Sequence, residues 1–526
     1  MLFLQGVNLY FDIWKCALIL AISIVYSPML VYDYTIMDDI PLWHSGAGLG
    51  LYLSQARVYD VLIFSFIKAT FTWSIGYLKV IIFLSNIIFN LILYDIFISI
   101  NRNKKIALFS ILIGAFSLPM MVFNGWITLG VHIVGNIAAL FLWKSILRPW
   151  RSIIFAIVPV FLSFILCQIY QPSLFFVFVP FLYFVLYSKH EATVIFRNLQ
   201  KIVLAVIPAV FIYIAINFMV AKIFATNLSG RLAQSFTVQE LFKKFINADL
   251  KNAAAFVASV DPWVIQYLYY FLLFVCIVNF LKIIKNNKGY KNKIFISLSY
   301  LSCSAVIIPT ILQGFGDFRT KISIAYIFSI SLVYFLASSI QYFSIYSSSM
   351  MKRVGFLGTT LAFVLLITIS FNGFCSYIYP YVLEQSYLME GLKESDGKSL
   401  LVKRTNTYPH DEAFFFTKPA YGHEASVKLT SQYVQYNGGS DLMIKYLIER
   451  SFPGRGSFTS IVSDCPVETP EKNESVNLNT YVLDLCRYEQ GISTYVQKSP
   501  SSFQSIFSNP FLERKDIQIF GRAIVP

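Results

Sequence analysis

Apolar runs close to twenty residues long recur along this chain from residue 11 to about residue 376, and that recurrence limits its fold more than any motif does. A helix needs roughly 20 apolar residues to cross the hydrocarbon core of a bilayer. Hydrophobic residues make up 56% of the 526, with 50 Phe and 33 Tyr, above the roughly 45–50% usual in soluble domains. The runs fall at 11–31, 77–100, 106–123, 127–147, 152–170, 173–188, 202–221, 263–284, 294–312, 322–345 and 354–376. They predict about eleven spans, with the 106–147 region able to hide a re-entrant segment. The expected fold class is therefore an all-α polytopic membrane domain.

The formal charge of +14 does not imply a nucleic-acid partner, because the basic residues sit in short loops between spans. They cluster at Arg102/Lys104/Lys105, Lys144/Arg148/Arg151, Lys189/Arg197/Lys201, Lys282 to Lys293 and Lys352/Arg353. With eleven spans all of these share one side, which the positive-inside rule makes cytoplasmic. The N-terminus is then expected in the cytoplasm and the C-terminus outside. The first ten residues carry no basic charge and no A-x-A site follows, so no cleavable leader is expected.

Residues 1–376 are expected to form the membrane domain, with outer loops at 32–76, 222–262 and 313–321. In the second loop, Leu241, Phe245, Ile246, Leu250, Ala254 and Phe256 share one helical face opposite Lys243, Lys244 and Lys251. That pattern fits a helix lying at the interface, or one packed on the protein's own outer surface. Beyond residue 376 the apolar runs stop. Residues 377–526 read as an outer soluble domain of mixed α/β type, with strand patterns in 457–464 and 480–488 and helical spacing in 441–451. Cys465 and Cys486 could pair there in an oxidising compartment or remain as thiols.

Charged residues are only 13% of the chain, yet Asp33, Asp38, Asp39, His44 and Arg57 crowd into the loop after the first run. Ionisable groups near hydrocarbon are costly to keep, so the cluster is a candidate site. Asp38 and Asp39 precede Ile40-Pro41, which places them at a loop-to-helix junction where one of them can cap the helix. Arg57 could instead pair locally with Asp60. In QGFGDFRTK, Arg319 and Lys321 run against the sidedness rule, and binding an anionic group is the simplest reason for them. No metal-ligand spacing, phosphate-binding glycine loop or nucleophile elbow is present. Metals and cofactors are accordingly not expected. Carboxylates and arginines beside apolar helices suit a substrate that is part lipid and part polar. Sugar transfer from a polyprenyl phosphate needs a base for the acceptor hydroxyl and positive donors on the leaving phosphate.

Asp38-Asp39, followed by Ala56-Arg57-Val58-Tyr59-Asp60-Val61-Leu62, resembles a pattern in the GT-C glycosyltransferases. More narrowly, the chain resembles the phage-encoded serotype-converting O-antigen glucosyltransferases. Gln168-Ile169-Tyr170-Gln171-Pro172-Ser173-Leu174 is similar to the Tyr-Gln pair that opens a span in that family, and Arg319 stands just before a span. Ala56 and Val58 replace the family's Gly and Pro. The resemblance implies an undecaprenyl-phosphate-glucose donor and an O-antigen polysaccharide acceptor on the periplasmic face of the bacterial inner membrane. It also implies an inverting displacement, and a separate donor-synthesising transferase and small flippase as partners. Asp38 or Asp39 would be the base, with the other orienting the acceptor or capping the helix. Arg57 and Arg319 would contact the phosphate or hold the loop. Tyr170 and Gln171 would bind sugar hydroxyls, unless Tyr170 belongs to the interfacial aromatic belt. His44, Asp33 and Lys321 complete the candidate set. Two other readings fit the same surface chemistry: an O-antigen polymerase or ligase, and a flippase of lipid-linked saccharide.

Overall fold

The computed structural model describes residues 12–31, 75–125, 130–150, 153–223, 250–254, 262–313, 320–343, 388–395, 399–404, 459–462 and 480–484, with a few single residues and short helical pieces besides. The span expected at 354–376 lies outside these residues, apart from one helical position. So does most of the loop helix expected within 222–262, whose described part includes a 3₁₀ turn at Leu250–Ala254. Six described helices are long and apolar enough to cross a membrane, and three shorter apolar ones lie among them. The chain is a multi-pass helical membrane protein.

The first helix, α1 (Ile13–Val31), starts where Asp12 accepts hydrogen bonds from the backbone N–H groups of Trp14 and Lys15, at 3.1 and 3.0 Å. Helix α2 (Ile75–Ile100) runs back beside it. Two ion pairs clasp the start of α1 to its neighbours: Lys104 Nζ to Asp12 at 2.6 Å, and Lys15 Nζ to Asp95 of α2 at 2.8 Å. Burial pushes the Asp12 carboxyl upward, but Lys104 and the two N–H groups outweigh it and hold it below its ordinary 3.8. A depressed carboxylate stabilises fully above its unfolded value and less as pH falls through its folded one. Thermal unfolding in detergent should therefore show a stability loss below pH ~4 that Asp12→Ala, itself costing about 1 kcal/mol, no longer shows.

The next run, expected as one span at 106–123, is two helices: α3 (Lys104–Ala115) and α4 (Leu118–Gly125). Pro119 is the cause. It has no N–H to give to the carbonyl of Ala115 four residues back. That carbonyl instead accepts the Tyr26 hydroxyl of α1 at 2.6 Å. Ser117 bridges the break, donating to the Gly114 carbonyl and accepting weakly from the N–H of Met120. Freed backbone groups in a membrane helix must find such partners. Tyr26→Phe orphans the carbonyl again and is expected to lower stability by about 1–3 kcal/mol in the same unfolding measurement.

Helices α5 (Ile133–Leu147), α6 (Ile153–Ile169) and the short α7 (Gln171–Leu174) follow. A 3₁₀ turn at Phe175–Val177 leads into α8 (Phe178–Tyr187), and α9 (Ala192–Ile223) comes next. Then come α10 (Pro262–Asn286) and α11 (Tyr290–Ser302), and a further 3₁₀ turn at Cys303–Ile307 joins α11 to α12 (Ile308–Gln313). The series closes with α13 (Ile322–Phe343). Gly289 begins α11 at φ +82°, a backbone conformation that disfavours other residues. Polar side chains tie the helices together, as is common in membranes. Asn279 donates to the Ser331 carbonyl at 2.8 Å, Tyr300 to the Cys276 carbonyl at 2.9 Å, and Ser329 to the Ser110 carbonyl at 2.6 Å.

The basic loops meet at one end of the bundle. There Lys201 donates to the carbonyls of Ile146 and Arg148 at the end of α5, Lys104 holds Asp12, and Phe196 stacks on Phe295. Beyond the bundle, strands β1 (Ser399–Arg404), β2 (Thr459–Val462) and β3 (Thr480–Asp484) form a parallel sheet in the order β2-β1-β3. Parallel pairing requires crossover connections, and helical positions at 444, 447, 448 and 451 fall between β1 and β2. Tyr481 of β3 donates to Glu394 at 2.6 Å, and burial together with that carboxylate pushes its phenol up to about 12.

Candidate functional site

At the end away from the basic loops, the chain turns from α6 into α7 through Tyr170, whose extended backbone makes it the cap of α7. Pro172 in the first turn sets the helical start. This turn aims two neighbouring side chains in different directions. The Tyr170 ring packs inward, 5.9 Å from Phe123 of α4 and 5.2 Å from His132, the residue before α5. It is 3% exposed, so it belongs to the bundle interior and not to an interfacial belt. Gln171 Nε2 donates to the Tyr213 hydroxyl of α9 at 2.6 Å. The turn thus joins α4, α5, α6 and α9.

More polar groups collect at this end. Asn124, Asn136, Gln168 and Ser173 are buried, and among the described residues the Asn136 Nδ2, Gln168 Oε1 and Ser173 Oγ atoms find no hydrogen-bond partner. Gly135 lets Ser173 approach so closely that an added Cβ would stand 2.9 Å from its hydroxyl. Further in, Asn86 and Asn90 stand one turn apart on α2 and are joined at 2.8 Å, and Tyr326 of α13 donates to Asn90 Oδ1 at 3.0 Å. Asn86 and Asn124 both face the Tyr26 hydroxyl. Lys321, just before α13, is fully buried and engaged in contacts of its own.

Of the residues singled out in the sequence, the structure therefore places Tyr170 and Gln171 in one polar turn and Lys321 at the start of α13. Asp33, Asp38, Asp39, His44, Arg57 and Arg319 lie outside the described residues, as do Cys465 and Cys486. His132, Tyr213 and the asparagines were not found by sequence reasoning. A signal did exist, since asparagines spaced by four inside an apolar run, as in LSNIIFN, mark a helix face that must meet polar partners. Among the described residues no group of three or more His, Cys, Asp or Glu stands together to hold a metal.

Amides, hydroxyls and aromatic faces crowded at one end of an apolar bundle suit recognition of a neutral polyhydroxylated group. No family model matches the chain, nor does any curated protein or solved structure.

Proposed function

We propose that this protein is an integral-membrane glycosyltransferase of GT-C type. It moves a glucosyl or related residue from undecaprenyl-phosphate-sugar to lipid-linked O-antigen, with inversion, on the periplasmic face of the bacterial inner membrane. About eleven spans would then carry residues 377–526 as a periplasmic domain. The observation that carries this reading is the Tyr170-Gln171 turn. The pair singled out by the family resemblance sits at the end opposite the basic loops, among buried amides and hydroxyls whose hydrogen-bonding capacity a sugar would use. In this reading Asp38 or Asp39 takes the proton of the acceptor hydroxyl. Arg57, Arg319 and Lys321 neutralise the departing phosphate, with Asp33 and His44 beside them, and no metal is needed.

Purified protein in detergent, given a synthetic polyprenyl-phosphate glucose and a lipid-linked O-antigen acceptor, should transfer the sugar in the presence of EDTA. Gln171→Leu should reduce that transfer up to about tenfold, the worth of one hydrogen bond to the substrate. Absence of transfer by the folded wild-type protein would sink the reading.

A further inference from the structure

Helix α9 carries a stripe of side chains at the basic end that the polar turn does not use. Arg197, Lys201, Leu204, Pro208 and Phe211 follow one another at spacings of four and three residues, which puts them on one helix face. The stripe changes character along its length. At its head Arg197 is exposed and Lys201 half-buried, whereas Leu204, Pro208 and Phe211 below them are apolar and exposed. Helix α6, which packs on α9, exposes Ile157 and Phe161 over the corresponding turns.

The cations at the head are fixed in place and lack counter-charge. Lys201 Nζ commits two of its three donors to the carbonyls of Ile146 and Arg148, at 3.0 and 2.8 Å, and stands 5.6 Å from the centre of the Trp150 ring. One donor is left over. The Arg197 guanidinium, one turn away, lies within electrostatic reach of Lys201, and Arg148 is exposed at the end of α5. None of Arg148, Arg197 and Lys201 forms an ion pair among the described residues. By contrast, Lys104 and Lys15 at the same end each have an aspartate. Like charges repel, so gathering three cations at one helix end is unfavourable in a way that a bound anion relieves.

That anion must also suit the surface below it. From Lys201 to Phe211 the helix descends about 15 Å, half of the roughly 30 Å hydrocarbon core and so the depth of one leaflet. Indoles favour the boundary between headgroups and hydrocarbon, which sets Trp150 and the cations at the level of lipid phosphates. A free phosphate would use the head of the stripe and leave its apolar length idle. We propose that this face binds one anionic phospholipid of the adjoining leaflet. Its phosphodiester lies among Arg148, Arg197 and Lys201, and an acyl chain lies along Leu204, Phe211 and Phe161. The site is independent of the glycosyl-transfer reading.

Lipid titration of the full-length protein in detergent, read by native mass spectrometry, tests it. Dioleoyl phosphatidylglycerol should stay bound under collisional activation that strips dioleoyl phosphatidylcholine, which has the same chains and phosphate but no net charge. Equal retention of the two lipids by wild type overturns the proposal without any variant having to fold. A cation near a lipid surface contributes about a factor of five in affinity, so Arg148→Gln with Arg197→Gln should weaken phosphatidylglycerol binding roughly 25-fold. No loss in that protein overturns the site. Lys285→Gln with Lys288→Gln removes two other exposed charges, at the α10–α11 turn, and should leave binding near that of wild type. If this second pair costs as much as the first, the lipid answers to surface charge in general and the site is lost. Competition by the water-soluble headgroup glycerophosphoglycerol at the lipid's own concentration would show that the chain plays no part, and would overturn the phospholipid as occupant.

Discussion

Asp38→Asn or Asp39→Asn should lower sugar transfer by roughly 10²–10⁴-fold while leaving expression near normal. Asparagine keeps the size and hydrogen bonding of aspartate but cannot take a proton. A helix cap accepts it almost as well, so a purely structural aspartate predicts nearly unchanged activity. The two roles are thus separated at each position by the transfer assay alone. At least one of the two variants should show the large loss. If both transfer sugar at the wild-type rate, the base lies elsewhere and Asp33 becomes the next candidate. Proton abstraction acts on the chemical step, so the deficit should appear in kcat and persist at saturating donor.

Asp95→Ala should cost about 3 kcal/mol of stability, at the low end of the range for breaking a buried ion pair. Lys15 is 9% exposed in its side chain and Asp95 is 18% exposed, so neither charge is fully solvated when its partner is lost. The pair joins the first turn of α1 to the last third of α2, far along the chain and near the basic end. The exchange Lys15→Asp with Asp95→Lys should restore most of the loss, because it rebuilds the attraction with its poles reversed. Thermal unfolding of Lys15→Asp, Asp95→Lys and the exchanged protein, beside the wild type, forms a cycle that isolates the pair. If Asp95→Ala unfolds with the wild type, the Lys15–Asp95 pair contributes nothing, and the Lys104–Asp12 pair and packing hold the start of α1.

Much of this is legible in the sequence, and the reasons differ from element to element. Long apolar runs dictate spanning helices because hydrocarbon leaves backbone groups no other partners. Alternation of basic loops then dictates which helix ends share a side, and the contacts of Lys104, Lys201 and Phe196 agree with it. Strand patterns at 457–464 and 480–488 were equally local, and β2 and β3 lie within them. The prominence of Tyr170-Gln171 was also legible, though its meaning was not. A tyrosine near a helix end reads equally well as an interfacial anchor, and only burial against Phe123 and His132 decides for the interior.

What the sequence by itself determined is thus whatever depends on near neighbours: apolar helices, caps, and a proline that forbids one hydrogen bond. Tertiary structure alone decided which distant groups answer those local demands. Tyr26 reaches the carbonyl that Pro119 frees, Asn90 meets Tyr326 across 236 residues, and Lys15 finds Asp95. No period or propensity encodes such meetings. They follow from how apolar faces pack.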